Sequence, residues 1–203
     1  MSFLDKAQEG REPLAPGSYN DLKILKYNGS RDTKTEGNKQ HRFGVVSKTR
    51  EGFCNLYMLI NDFWLDDAVM ALALGTTSDA INEGAITAAD VERAQAKIKS
   101  IVDEKIAEAN TPDELVAEKT EEFTRKLLNT IKINVGTLLR LQKYAGDTPS
   151  LVFDVEKLVG ITFRGKVIAK AGSDGKEYLE VDSVYAVPKD YKAPAKDTEF
   201  ATV

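Results

Sequence analysis

Hydrophobic periodicity changes twice along this chain, and the order of the changes limits the folds open to it. Between Gly17 and Ile60 apolar and polar residues alternate in three segments. From about residue 61 to 150 the apolar residues recur at helical spacing, and after Ile161 alternation returns in two segments. Period two marks half-buried strands and period 3.6 marks amphipathic helices, so the chain reads as three strands, a helical block and a closing hairpin.

The first segment, GSYNDLKILKYNG, sets Leu22 and Ile24 on one side and Tyr19, Lys23 and Tyr27 on the other. A polar stretch follows, SRDTKTEGNKQ, rich in turn formers and read as a loop. HRFGVVSK is the second strand, and a turn at Arg50-Glu51-Gly52 leads to the third, FCNLYMLI. In the helical block, DFWLDDAVMALAL predicts a helix that stops at Gly75. Thr87 with Asp90 three residues on resembles a capping box, ahead of the apolar stripe Val91, Ala94, Ile98, Ile101, Val102 and Ile106. Thr111-Pro112-Asp113-Glu114 opens another helix, giving a helical hairpin over 87–131. A last helix is predicted from about Val135 to Tyr144, ending at Gly146. ITFRGKVIAKA, a GSDG turn and KEYLEVDSVYAV make the closing hairpin.

Three strands, a helical connection and two strands fit an α+β chain with a mainly β core. The order is that of the five-stranded OB-fold Greek-key barrel, here with a large helical insertion between strands 3 and 4. The expected organisation is a flexible arm over 1–16, a barrel domain over 17–187 whose insertion spans about 76–133, and a flexible tail over 188–203. At 203 residues one domain with its own core is the default.

The supply of catalytic groups is thin. One histidine and one cysteine hold no zinc between them and form no internal disulfide. Gly160-Ile161-Thr162-Phe163-Arg164-Gly165-Lys166 matches the first part of a phosphate-binding loop. It lacks the closing Ser or Thr at Val167, and its alternation makes a strand where that motif needs a loop opening a helix. Asp62, Asp66 and Asp67 form an acidic cluster in which helix-start acids are favoured over a metal site. No cofactor and no enzymatic activity are therefore expected. The N-terminal stretch has no signal-peptide pattern, and no run approaches the roughly 20 apolar residues of a membrane span. A cytoplasmic protein with no membrane partner is expected.

Net charge is −4, but unevenly spread. Residues 1–60 hold 10 basic and 7 acidic side chains, residues 61–150 hold 10 and 16, and residues 151–203 hold 8 and 9. The acid sits in the helical block and the β segments are locally basic. Interleaved cations and aromatics on strands suit a single strand of nucleic acid, whose phosphates pair with Lys and Arg while bases stack on rings. The candidate cations are Arg31, Lys34, Lys39, Arg42, Lys48, Arg164, Lys166 and Lys170; the candidate stacking residues are Tyr27, Phe43, Phe53, Tyr57 and Tyr178. Alternation alone does not say which face points inward, so Phe53, Tyr57 and Phe163 read equally well as barrel core. His41 reads first as a surface strand residue and second as a nucleic-acid contact.

Leu158, Gly160 and Phe163, a basic strand, and then Gly175, Lys176, Tyr178, Glu180 and Val181 resemble the closing segment of phage-encoded OB-fold single-stranded-DNA-binding proteins. The opening PLAPGSYNDLKILKY and GNKQHRFGVVS are similar to the first two strands of that family. The resemblance implies a non-enzymatic, non-sequence-specific single-stranded-DNA binder in phage replication or recombination, in the cytoplasm of an infected host cell. It also implies replication or recombination proteins as partners, recruited in many such proteins by an acidic, aromatic-ended tail; Asp197, Glu199 and Phe200 are a faint version. The alternative is a non-enzymatic interaction protein that uses the helical hairpin to form a homo-oligomer or dock a partner. An exposed patch on the 91–106 stripe would favour that alternative.

Overall fold

The computed structural model describes residues 13–33, 37–50, 52–152, 154–171 and 175–191. Its strands are β1 (Gly17–Asp32), β2 (Asn38–Ser47), β3 (Phe53–Asn61), β4 (Thr162–Ala171) and β5 (Glu177–Tyr185), closed into a barrel in the order β1-β2-β3-β5-β4. β1 runs antiparallel to β2 and β4, β4 runs antiparallel to β5, and β3 meets β5 in parallel at Asn55 and Glu180. A parallel neighbour requires a long return connection, which the helical block provides. The expected architecture is thus present: a five-stranded OB-like barrel with helices between its third and fourth strands.

Alternation fills the barrel. On β3, Cys54, Leu56, Met58 and Ile60 are buried while Phe53, Asn55, Tyr57 and Leu59 between them are half-buried. Leu22 and Ile24 of β1, Phe43 and Val45 of β2, Phe163 and Val167 of β4, and Val181 and Val184 of β5 are buried as well. Gly165 is required by close approach. A Cβ there would lie 2.8 Å from Leu22 Cδ1 and 3.0 Å from the Ser183 carbonyl oxygen.

β1 spans 16 residues and joins two neighbours, which a regular strand would do poorly. Its register slips between Tyr19 and Leu22 against β4, and between Ile24 and Lys26 and again Tyr27 and Ser30 against β2. Such bulges add a residue and bend the strand. The last one contains Gly29, at φ +84°, a conformation that glycine adopts without strain. The first slip corrects one expectation. Tyr19 was expected beside Lys23 and Tyr27 but joins the buried set, with its hydroxyl donating to the Ala15 carbonyl at 2.6 Å.

The stretch 30–40, expected as a loop, is largely strand: Ser30–Asp32 extend β1 and Asn38–Gln40 extend β2. Local turn propensity yields here to ladder pairing. At the other end of β2, buried Asp21 accepts from Ser47 Oγ at 3.0 Å, and Ser47 Oγ in turn accepts from the Thr49 and Arg50 amides. This fixes the start of the β2–β3 turn. Of the arm expected over 1–16, residues 13–14 are held in place: Pro13 bridges to Phe53, and the Leu14 amide donates to the Phe53 carbonyl. Residues 1–12 and 192–203 lie outside the described residues, and with them the tail residues Asp197, Glu199 and Phe200.

The chain divides into two compact units, residues 1–59 with 137–203, and residues 60–136. The second unit carries α1 (Asp67–Leu74), α2 (Thr77–Asn82) and α3 (Ala88–Glu108). The expected helix over 62–74 is two elements. Asn61 caps a 3-10 turn at Asp62–Leu65, and Asp66 then caps α1 by accepting from the Ala68 and Val69 amides. α2 is too short to show a period in sequence. At α3 the Thr87–Asp90 capping box forms in full, and Val91, Ala94, Ile98 and Val102 are buried. Two expected helices merge into one, α4 (Val116–Ala145), 30 residues long. Nothing between Ile131 and Val135 breaks a helix, and Gly136 within it costs only about 1 kcal/mol. In the barrel unit, buried Gln142 near the end of α4 holds Ser150 by two hydrogen bonds, 2.9 and 2.7 Å, and so anchors the chain returning to β4.

Candidate nucleic-acid interface

The β1–β2 ribbon has two sides, and its register assigns each residue to one of them. Tyr27 pairs with Phe43 and Ser30 with His41, while Lys26 pairs with Gly44 and Arg31 with Gln40. Phe43 is fully buried, so its side is continuous with the barrel interior. The opposite, outer side carries Lys26, Arg31 and Arg42, and Arg42 stands across from the Asn28–Gly29 bulge. No acid occupies that side among the described residues. Arg31 Nε donates across the ladder to Gln40 Oε1 at 2.8 Å.

β3 neighbours β2 in the barrel, and its outer face presents Phe53, Asn55, Tyr57 and Leu59, each half-buried. Lys26, Arg31 and Arg42 thus share the outer β1–β2–β3 surface with Tyr57, while Phe53, at the start of β3, lies at the Lys48 end and bridges to Pro13. This settles one ambiguity of the sequence: Phe53 and Tyr57 lie outside the barrel, and Phe163 is core.

Other predicted residues fall elsewhere. Phe43 is corrected outright, because full burial leaves it no free ring face for a base. Lys48 follows the last residue of β2, at the end remote from Arg42, and its amide donates to the Asp21 carbonyl at 3.2 Å. Lys34 lies outside the described residues. Arg164, Lys166 and Lys170 are exposed on β4, which β1 separates from β2 and β5 separates from β3. Their surroundings are electrically mixed. Lys170 is ion-paired to Glu180 at 2.8 Å, Asp182 is exposed on β5, and the Arg164 guanidinium lies 5.1 Å over the Tyr185 ring. Tyr178 is exposed and pairs across from Lys170. The predicted site therefore divides into an outer β1–β2–β3 group and a β4–β5 group.

The inner side of the ribbon, beyond the barrel, holds a small aromatic cluster. Tyr27 packs against Phe43 with centroids 5.1 Å apart and stacks on His41 at 5.9 Å. The Tyr27 hydroxyl and His41 Nδ1 are 2.9 Å apart. Burial, helped by the nearby Lys39, holds the His41 imidazole below its usual range, so the ring is neutral at pH 7. Sequence reasoning missed Lys26 as a site residue and left His41 mostly as a surface residue. The signal for Lys26 was Gly44, which a bulge-corrected register sets opposite it.

In the acidic cluster Asp66 serves the helix, its Oδ1 accepting from the Ala68 and Val69 amides. Among the described residues, no group of three His, Cys, Asp or Glu side chains is placed to hold a metal. The Gly160–Lys166 segment runs into β4, so its phosphate-loop reading has no structural context. Among the described residues no helix is long and apolar enough to cross a membrane. No family model, curated protein or solved structure matches this chain.

Proposed function

We propose that this chain is a non-enzymatic, non-sequence-specific single-stranded-DNA-binding protein that acts in phage replication or recombination. The strand crosses the outer face of β1, β2 and β3. One observation carries the reading: among the described residues three cations, Lys26, Arg31 and Arg42, stand without an acid on the outer side of the β1–β2 ribbon, beside the half-buried Tyr57 of β3. Cations neutralise phosphates and rings stack with unpaired bases, while a duplex hides its base faces. OB barrels bind oligonucleotides on the strand 2–3 face, and the likeness of the opening and closing segments to phage single-strand binders points the same way.

Fluorescence anisotropy with labelled oligo-dT and with its duplex equivalent tests the proposal. The single strand is expected to bind preferentially and to weaken steeply with salt; equal affinity for both forms, or affinity independent of salt, refutes it.

The interaction-protein alternative is weakened, because Val91, Ala94, Ile98 and Val102 of the 91–106 stripe are buried and Ile101 and Ile106 are half-buried. What favours it is an open groove of about 450 Å³ beside Ala73, Leu128 and Lys132 in the helical unit.

A further inference from the structure

We propose that Tyr27, His41 and Lys39, on the inner side of the β1–β2 ribbon, form a second contact for a backbone phosphate of the same bound strand, and that His41 takes up a proton as the phosphate seats. This rests on the single-strand-binding reading and adds a site to it.

The geometry supplies the reasons. Lys39 and His41 are two residues apart on one strand and so project from the same side of the ladder, with Tyr27 stacked against the imidazole. In the neutral ring, Nδ1 either accepts the Tyr27 hydroxyl proton or donates to the hydroxyl oxygen across their 2.9 Å contact. In the protonated ring Nδ1 only donates. The Tyr27 hydroxyl must then turn its own hydrogen away from His41, and the pair offers two donors to a ligand, Tyr27 O–H and His41 Nε2–H. Lys39 adds a third donor with full charge. A phosphate oxyanion is an acceptor with negative charge, so it suits the protonated arrangement better than the neutral one.

The charged surroundings make the proton uptake conditional on the ligand. Facing His41 are Tyr27 and Asp32 on β1, with Asp32 paired across from Lys39, and Lys39 on its own strand. Arg31 and Arg42 lie on the other side of the ladder. β3, the other neighbour of β2, carries Tyr57 on its outer face and Cys54 turned into the barrel. In the free protein, burial and Lys39 both oppose charge on the ring. A bound phosphate compensates Lys39 and attracts the imidazolium, which reverses that balance. Affinity therefore rises as pH falls through the interval between the free and bound titration midpoints, by at most tenfold per pH unit for one proton.

His41 is the only histidine, so its ring signals are assigned without ambiguity in a proton NMR titration. The free ring is expected to titrate below its ordinary value near 6.5, and above that midpoint when oligo-dT is bound. By anisotropy, the Kd for oligo-dT is expected to tighten about fivefold from pH 8 to pH 5.5 at fixed salt, within the one-proton limit. His41→Gln is expected to bind more weakly than the wild type at pH 5.5 and to lose this pH dependence. The triple variant Lys26→Ala, Arg31→Ala, Arg42→Ala is expected to bind more weakly at every pH while keeping it. A wild-type Kd that does not change with pH, or a His41→Gln variant with the same pH profile, overturns the second contact and leaves the outer face standing. Absence of oligo-dT binding at every pH overturns both.

Discussion

The sharpest consequence of the divided site concerns how binding responds to salt. Replacing Lys26, Arg31 and Arg42 together by alanine removes the three cations of the outer ribbon face. Each phosphate contact to a single strand contributes about 0.7 to the slope of log affinity against log salt, so the variant's slope is expected to be shallower by about 2. Between 50 and 200 mM salt the wild type should consequently lose about 20-fold more affinity than the variant does. Arg31 and Arg42 are exposed and Lys26 is half-buried, none of them in an ion pair among the described residues, so the cost in fold stability stays near 0.5 kcal/mol. The companion variant Arg164→Ala, Lys166→Ala provides the contrast. Those cations sit on β4 across from Tyr185 and Ser183, with Asp182 exposed on the neighbouring strand and Arg164 already over the Tyr185 ring, and the slope should change by less than about 0.5. Anisotropy titrations of oligo-dT at four or more salt concentrations measure both slopes, with circular dichroism to confirm folding. An unchanged slope in the triple variant, or a larger change in the β4 pair, refutes the assignment of the phosphate track to the outer β1–β2–β3 face.

Phe43 and Tyr57 separate stability from binding. Phe43→Ala should destabilise the fold by about 3–5 kcal/mol in chemical denaturation, as loss of a fully buried ring does. Tyr57→Ala should weaken oligo-dT binding by about 1–3 kcal/mol with little loss of stability; the reverse pattern would exchange their roles. Gly165→Ala forces a Cβ to within 2.8 Å of Leu22 Cδ1 and 3.0 Å of backbone oxygen, and should cost about 1–3 kcal/mol of stability. An unchanged denaturation midpoint would show that the β4–β5 ladder opens there without strain. Burial pushes the Cys54 thiol up to about 12, so it stays protonated at pH 8 and is held inside the barrel. A thiol-reactive chromophore should leave it unmodified in the folded protein and label it fully in strong guanidinium; rapid labelling of folded protein would contradict the burial.

The barrel was legible because its signals are local and redundant. Alternation on β3 and β4 marks the inward residues, and the segment order allows few topologies for five strands joined through a helical block. Helix starts were legible where a side chain caps the backbone, as Thr87 does with Asp90. Ends and joins were harder. Asn61 and Asp66 each cap a separate element inside what periodicity merges into one helix. Conversely, the stripe that ends at Ile131 and the one that starts at about Val135 read as two helices, yet nothing between them stops the backbone and one helix runs from Val116 to Ala145.

The candidate site was harder to read because it depends on side assignment, and side assignment on β1 depends on bulges. A strand period of two carries one bit of information per residue, and each bulge inverts it for everything beyond. Leu22, Ile24 and Lys26 share a parity in the sequence, yet Leu22 and Ile24 are core and Lys26, past the bulge, lies on the outer side. Closure then imposes a second separation that no linear pattern contains. In a barrel ordered β1-β2-β3-β5-β4, residues of β4 reach the β2–β3 surface only around an intervening strand, however similar their basic and aromatic composition. The cations of β2 and of β4 read as one set in the sequence because composition ignores that ring. The surroundings tell them apart: among the described residues no acid shares the outer side of the ribbon, whereas on β4 Lys170 is paired to Glu180 and Arg164 lies over the Tyr185 ring. Charge already compensated within the protein has fewer counterions to release to a polyanion, so the two groups, alike in number, differ in what they contribute to binding.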